Sequence, residues 1–357
     1  MSGGTWTITE QSIRPGLYIN FVDAAIAQIT GGARGVVGLP VFTYSGNAEA
    51  GKFYSLENEQ EALDALGKEN ASVAIRILQG GAKEVLAYAV PTFEDVDAEA
   101  AYISLRDEFE ARHFNVFVYP AEVSATEQDN TVAWVKRNKK EGKHFMFVTG
   151  GTAAEDKDSE VGNARSIRLK DDYVVNLITG VVLSDGSELS SGQYASYIAG
   201  LIAGTQINKS ITYAELPVVD VNKRLKNSEI KAALIAGSLV IVNDGRKIKI
   251  EQGVQTNSSE AKRGKIRATR ARQAIASDIS ATACDHYIGK LDNNADGQAA
   301  LISAIKLYLE TLGKENVLED PRVKLDDRYE SKGDSVYIMI NYDETDSMER
   351  IFLTVQI

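Results

Sequence analysis

The residue pattern predicts a chain of the α/β and α+β classes. An α/β unit with a mostly parallel sheet comes first, an α+β unit follows, and strand-like segments stand at both ends. Three observations predict this. Between Ala33 and Thr149, compact apolar runs alternate with helical segments, the pattern of parallel strands covered by helices. Beyond Tyr173 the texture changes to a broken strand, an alanine- and glycine-rich helix and an Asp-Gly hairpin. Both ends alternate apolar with other residues at a period of two. The length of 357 residues suits roughly two domains.

At the front, Thr5 to Thr9 is rich in β-formers and Arg14-Pro15-Gly16 punctuates it. Leu17, Ile19 and Phe21 then alternate with Tyr18 and Asn20, a strand pattern. Gly35 to Phe42 reads as a strand, and Glu57 to Leu66 and Ser72 to Leu78 as short helices, the second stopped by Gly80-Gly81. Val85 to Val90 is a compact apolar run. Asp97 to His113 reads as a helix with Tyr102, Leu105 and Phe109 on one face. Asn115 to Tyr119 and His144 to Thr149 read as strands flanking a helix from Glu127 to Lys140. The last turns of that helix carry Lys136, Arg137, Lys139 and Lys140, which suit its negative end. Gly150 to Asn163 is polar and glycine-containing and reads as an exposed loop.

In the second half, Tyr173 to Leu183 is strand material broken at Thr179-Gly180. Gln193 to Ala203 is a helix whose small residues permit close approach of another backbone. Asn227 to Ala236 is a helix ending at Gly237. Leu239 to Asn243 meets Lys247 to Ile250 through Asp244-Gly245, a hairpin signal. Lys262 to Ile279 reads as a helix that is basic at its start. Gln298 to Leu312 is amphipathic, with Leu301, Ile305, Tyr308 and Leu312 in register. Val336 to Tyr342 and Arg350 to Ile357 read as strands. In the second of these, Ile351, Leu353, Val355 and Ile357 alternate, so the segment must pair with something. The acidic stretch Asp343 to Ser347 before it is either a hairpin loop or a tether to another subunit.

Composition and motifs narrow the function classes. A single Cys284 rules out a disulfide scaffold and fits a reducing compartment. No apolar run reaches the roughly 20 residues of a membrane span, and Met1 to Glu10 does not read as a signal peptide. The net charge of −11 disfavours a nucleic-acid binder. Gly46 to Lys52 matches a phosphate-binding loop up to its lysine, but Phe53 stands where Ser or Thr should ligate magnesium. Gly31 to Gly35 precedes a strand rather than following one, so it reads as a hinge and not as a dinucleotide fingerprint. Asp292 to Gly297 resembles half a calcium loop, but position twelve would be Ser303, and Asp296 reads better as a helix cap. Cys284, His286, His113 and His144 form no catalytic or zinc spacing. No enzyme, cofactor or metal is expected. Lys262, Arg263, Lys265, Arg267, Arg270 and Arg272 form a cationic run with no acid in it, either a solvated helix face or a docking surface for an acidic partner.

Several motifs together resemble the contractile phage tail sheath family, in the compact form of phages of Gram-positive hosts and R-type bacteriocins. They are Gln193 to Thr205 with Ser210-Ile211-Thr212-Tyr213, Asp278-Ile279 with Asp285 to Lys290, the helix Leu301 to Glu310, and Arg14 to Tyr18 at the front. The resemblance covers about Gln193 to the end and the first 40 residues. It implies an N-terminal arm at 1–22, an outer α/β domain at 23–188, a C-terminal α+β sheath domain at 189–342 and a C-terminal arm at 343–357. It also implies a structural subunit that polymerises helically around an inner tube and contracts.

In this family the arms add strands to neighbours, here Leu17, Tyr18, Ile19 and Phe21, and Ile351, Phe352, Leu353, Val355 and Ile357. The cationic run would then face the tube or a neighbour, and Gly31, Gly32, Asp343 and Asp346 would be hinges. The implied partners are copies of itself, an inner tail tube protein, and baseplate and tail terminator proteins. Neither nucleic acid nor membrane insertion is expected. The location would be a virion or tail-like particle assembled in the bacterial cytoplasm. The alternative reading is a nucleotide- or small-ligand-binding α/β protein with both end strands folded back on itself.

Overall fold

A computed structural model describes Gly3–Gly4, Leu17–Tyr18 and residues 28–32, 34–91, 98–258 and 264–356. The elements run β1 (Gly3–Gly4), β2 (Leu17–Tyr18), β3 (Val36–Val41), β4 (Phe53–Leu56), α1 (Glu59–Leu66), α2 (Ser72–Gln79), β5 (Glu84–Ala89), α3 (Ala98–Glu110), β6 (Val116–Val118), α4 (Ala125–Lys140) and β7 (Met146–Thr149). A 3₁₀ turn, Glu155–Lys157, leads to α5 (Ser159–Arg168). Then come β8 (Val174–Leu177), β9 (Val181–Val182), β10 (Glu188–Leu189), α6 (Ser191–Gly204), β11 (Asp220–Val221), α7 (Asn227–Ala236), β12 (Ser238–Leu239), β13 (Ile241–Asn243) and β14 (Ile248–Ile250). The last four are α8 (Ile266–His286), α9 (Ala295–Lys314), β15 (Leu318–Leu325) and β16 (Ile338–Glu344).

The main sheet has the order β12-β8-β7-β6-β3-β5-β4 and is parallel except at the β4 edge. Both of its faces are covered, which is why its strands read as continuous apolar runs. Val37, Leu39, Val116, Val118, Met146 and Val148 point to one core, with α1, α2 and α6. Phe117, Tyr119, Phe145 and Phe147 point to the other, with Leu105 and Phe109 of α3 and Trp134 of α4. The second core is a net of edge-to-face rings, among them Phe109–Phe117 at 5.2 Å and Phe117–Trp134 at 5.2 Å.

The small residues of α6 have a steric purpose. A Cβ on Gly200 would overlap the Ile77 carbonyl, and one on Gly204 would overlap the Gly81 carbonyl. The backbone of α6 therefore touches α2 and the turn after it, and Ser190 opens α6 with a reciprocal capping box to Gln193. Gly200→Val should force these helices apart at a cost of about 3 kcal/mol, read as a lower denaturation midpoint. A wild-type midpoint would mean the contact is dispensable.

Three expectations need correction. Gly150 to Asn163 is not an exposed loop: it holds the 3₁₀ turn and the start of α5, and Gly150, Asp156, Ser159 and Asn163 are buried. The boundary at 188/189 falls inside the central unit, because α6 lies on the main sheet and β12 pairs with β8. Asn294, not Asp296, caps α9, its side chain accepting from the Gly297 amide.

Beyond residue 264 the chain builds a smaller unit. Helices α8 and α9 share a core of Ala271, Ile275, Ile305, Tyr308, Leu309 and Leu312 with Val317 and Leu318. The β15–β16 hairpin lays Val323, Ile338, Ile340 and Tyr342 on this core.

Candidate functional site

The ends of the hairpin unit carry the distinctive geometry. A two-stranded hairpin is marginal by itself, and here α9 supports one face. Both long edges of the β15–β16 pair are without a ladder partner among the described residues. Such edges accept strands.

The chain leaves β16 through a charged clamp. Arg272 of α8 binds Glu344, Nε to Oε1, at 2.5 Å. Lys265 Nζ lies 2.6 Å from Asp346 and 3.0 Å from Glu349. Glu349 also accepts from Thr212 Oγ1 at 2.8 Å and Gln252 Nε2 at 2.7 Å. Burial alone would raise the Glu349 pKa, but the bonds from Gln252, Lys265 and Thr212 outweigh it and hold this carboxyl below its ordinary value. Past this clamp the segment turns outward. Ile351 is 68% exposed, Phe352 90%, Leu353 85% and Val355 79%. Residues 350–356 belong to no strand of this subunit. Exposed apolar side chains in such a run lack, among the described residues, the cover that proteins normally give them.

This arrangement corrects two expectations. The cationic run is not an open docking face in its described part, because its side chains are used within the chain. Lys265 and Arg272 hold the clamp, Arg267 donates to the Asn316 carbonyl at 2.8 Å, and Arg270 donates to the carbonyls of Thr205 and Gln206. Lys262 and Arg263 lie outside the described residues. Nor is 343–346 a loose hinge, since Asp343 sits in β16 opposite Glu319 and Asp346 is ion-paired. At the other proposed hinge, Gly31 lies beside the Arg34 guanidinium and the Gly32 amide donates to Asp278 Oδ1 at 2.8 Å. Of the front arm, Leu17 and Tyr18 pair in parallel with Gly3 and Gly4. Ile19, Phe21 and, at the far end, Ile357 lie outside the described residues.

Sequence reasoning missed Glu344 and Glu349 as the partners of the cationic run. It also missed a buried polar joint at the start of α6. Asp156 accepts from the Ser191 amide at 2.7 Å, from Ser191 Oγ at 2.5 Å and from Asn222 at 3.3 Å. Burial pushes its carboxyl up to about 6, against the pull of Ser191, Arg165 and Asn222. A carboxyl raised in the folded state favours unfolding once it must ionise. Stability should therefore rise by up to about 3 kcal/mol as pH falls from above 6 towards the ordinary aspartate range. The wild-type-minus-Asp156→Asn stability difference, followed by denaturation from pH 7 to pH 4, should carry this slope. A flat difference would contradict it.

The ligand-binding alternative meets a filled crevice. In a doubly wound sheet, ligands bind at the carboxyl ends of the strands where the winding reverses, here β3 and β6. Phe42, Tyr102 and Tyr119 pack edge-to-face there, at 5.8 and 5.6 Å. Behind them Glu127 accepts from the Tyr119 hydroxyl at 2.6 Å and pairs with Arg106. The Gly46 to Lys52 loop runs into β4 rather than a helix, and Lys52 pairs with Glu49 of the same loop at 2.6 Å.

Comparison with known proteins shows the family and the fold. The family model for the phage tail sheath protein central domain matches residues 97–256, and that for the phage tail sheath C-terminal domain matches 258–357. The tail sheath protein of Clostridium phage phiCD119 is 27% identical over 218 residues, 60% of this chain and 57% of that protein's length. The crystal structure of the sheath tail protein from Desulfitobacterium hafniense is 20% identical with a TM-score of 0.72, covering 92% of this chain and 100% of that one. The contracted helical sheath of the anti-feeding prophage is 17% identical with a TM-score of 0.74, covering 97% of this chain and 99% of that one. These likenesses show the fold, and the two adjoining family matches together span most of the sequence: the chain belongs to the phage tail sheath protein family.

Proposed function

We propose that this protein is the sheath subunit of a contractile tail or tail-like particle. It polymerises helically around an inner tube and contracts against a baseplate to drive the tube through a cell envelope. One observation carries the reading: the segment Ile351 to Val355 is exposed and has no strand partner among the described residues, while its root is clamped at Lys265 and Arg272. Added to a neighbour's open hairpin edge, this segment would gain ladder hydrogen bonds, and its alternate side chains would set the register. The front arm around Leu17 to Phe21 supplies the second donated strand.

A head-to-tail contact of this kind builds an open helix when its rotation does not close. During contraction the bodies rotate almost rigidly and the arms persist as tethers. The bend then lies beyond Glu349, since the residues before it are held. The partners are further copies, the inner tail tube protein, and baseplate and tail terminator proteins. The subunit assembles in the bacterial cytoplasm and acts in the particle. The reading assigns it no catalysis, cofactor or nucleic acid. Negative-stain microscopy of the purified chain tests it: tubular polymers are expected, and strictly monomeric protein at high concentration would overturn it.

A further inference from the structure

A cavity of about 160 Å³ lies at the opposite end of the main sheet from that crevice, where the amino ends of β6 and β7 meet α8. Its chemistry is one-sided. Arg34, Arg270 and Gln273 line it, and so do His113 and His144, two of the chain's three histidines. The carboxylate in its wall, Asp278, is already occupied by the Gly32 amide at 2.8 Å, by Arg34 at 2.5 Å and by the Tyr308 hydroxyl at 2.5 Å. Arg270 gives its guanidinium to backbone carbonyls and makes no ion pair among the described residues. Burial, together with the nearby Arg34, pushes its pKa down to about 10. Gln273 is 8% exposed, and its Nε2 has no hydrogen-bond partner among the described residues. A buried amide donor without an acceptor is costly and calls for one.

The cavity thus presents a cation that no carboxylate neutralises among the described residues and an unused buried donor, while His144 in its wall is already bonded to the Tyr173 hydroxyl at 2.9 Å. The complement of that set is an acceptor-only group with negative charge. We propose that this cleft between the main sheet and α8 binds a small oxyanion of the phosphate class, held by Arg270 and Gln273. The anion would join α8 to the central unit, independently of how subunits assemble.

Inorganic phosphate titrated into the full chain, against sodium chloride at matched ionic strength, tests this by thermal unfolding and calorimetry. A saturable rise in the unfolding temperature with measurable heat is expected for the wild type. Arg270→Gln should weaken binding by about tenfold or more, as loss of a charge-assisted contact would. Gln273→Leu should fold, because it removes an orphaned polar group, and should also lose the effect. Absence of a saturable phosphate effect in the wild type would overturn the proposal. So would an effect unchanged in Gln273→Leu, which decides the matter if Arg270→Gln does not fold.

Discussion

A chain lacking residues 351–357 is expected to fold as well as the full chain and to stay monomeric. Ile351, Phe352, Leu353 and Val355 bury little in their own subunit, so removing them should change its stability by no more than about 0.5 kcal/mol. In the polymer the same side chains would be covered. Full burial of a residue such as Leu353 contributes about 1.5–3 kcal/mol, and ladder hydrogen bonds add to it. Losing two or three such contributions weakens association by at least a hundredfold, even after discounting for the ordering of the arm. Sedimentation velocity beside thermal unfolding separates the two quantities. A truncated chain that unfolds or aggregates would show that the segment belongs to its own subunit's core.

The second large effect is expected at the clamp. Lys265→Met removes the cation that Asp346 and the nearly buried Glu349 share, leaving Arg267 as the positive charge near both. Breaking one side of a buried pair costs about 3–5 kcal/mol, and partial exposure of Asp346 places this site near the lower figure. The arm root should also loosen, seen as faster amide exchange at 345–349. Adding Glu349→Gln and Asp346→Asn should recover much of the loss, because the unpaired charges are gone. The pH dependence has a definite sign. Glu349 is held below its ordinary pKa, so its contribution is present above the ordinary glutamate range and is lost as pH falls through the folded value. This is opposite to Asp156, whose raised pKa makes acidification stabilising above the ordinary aspartate range. Lys265→Met with unchanged stability and exchange would remove the clamp from the account.

What was legible in the sequence follows from where each element buries its apolar groups. Strands β3, β5, β6, β7 and β8 announced themselves because both sheet faces are covered, leaving runs such as Phe145 to Val148 without polar interruption. Helix α6 was legible from its alanine and glycine content, and Gly80, Gly200 and Gly204 show why. Helix α5 was hidden because one buried face is polar: Asn163 and Ser166 bond with Ser238 and Asn176, so no apolar period marks it. Strand β15 was hidden by an irregularity between Glu319 and Arg322, where Asp320 has a positive φ of 49°.

The alternation at Ile351 to Val355 read as a strand, but the segment forms none among the described residues, since alternation says nothing of whose sheet such a segment joins. Its clamp was the least legible part. Lys265 and Asp346 are 81 residues apart, and only the charge excess of two distant runs hinted that they meet. The sequence turned the cationic run towards the tube or a neighbour, whereas in the fold Lys265 and Arg272 hold the root of the arm.

The proposed function puts residues 350–356 in the sheet of another subunit. A helical reconstruction of the purified chain by electron microscopy, at a resolution that traces the backbone, tests it most directly. The segment is expected to leave the Lys265 clamp and run as an added strand along the β15–β16 hairpin of a neighbouring copy. An assembled sheath in which residues 350–356 pair with their own hairpin, or touch no neighbour, would contradict it.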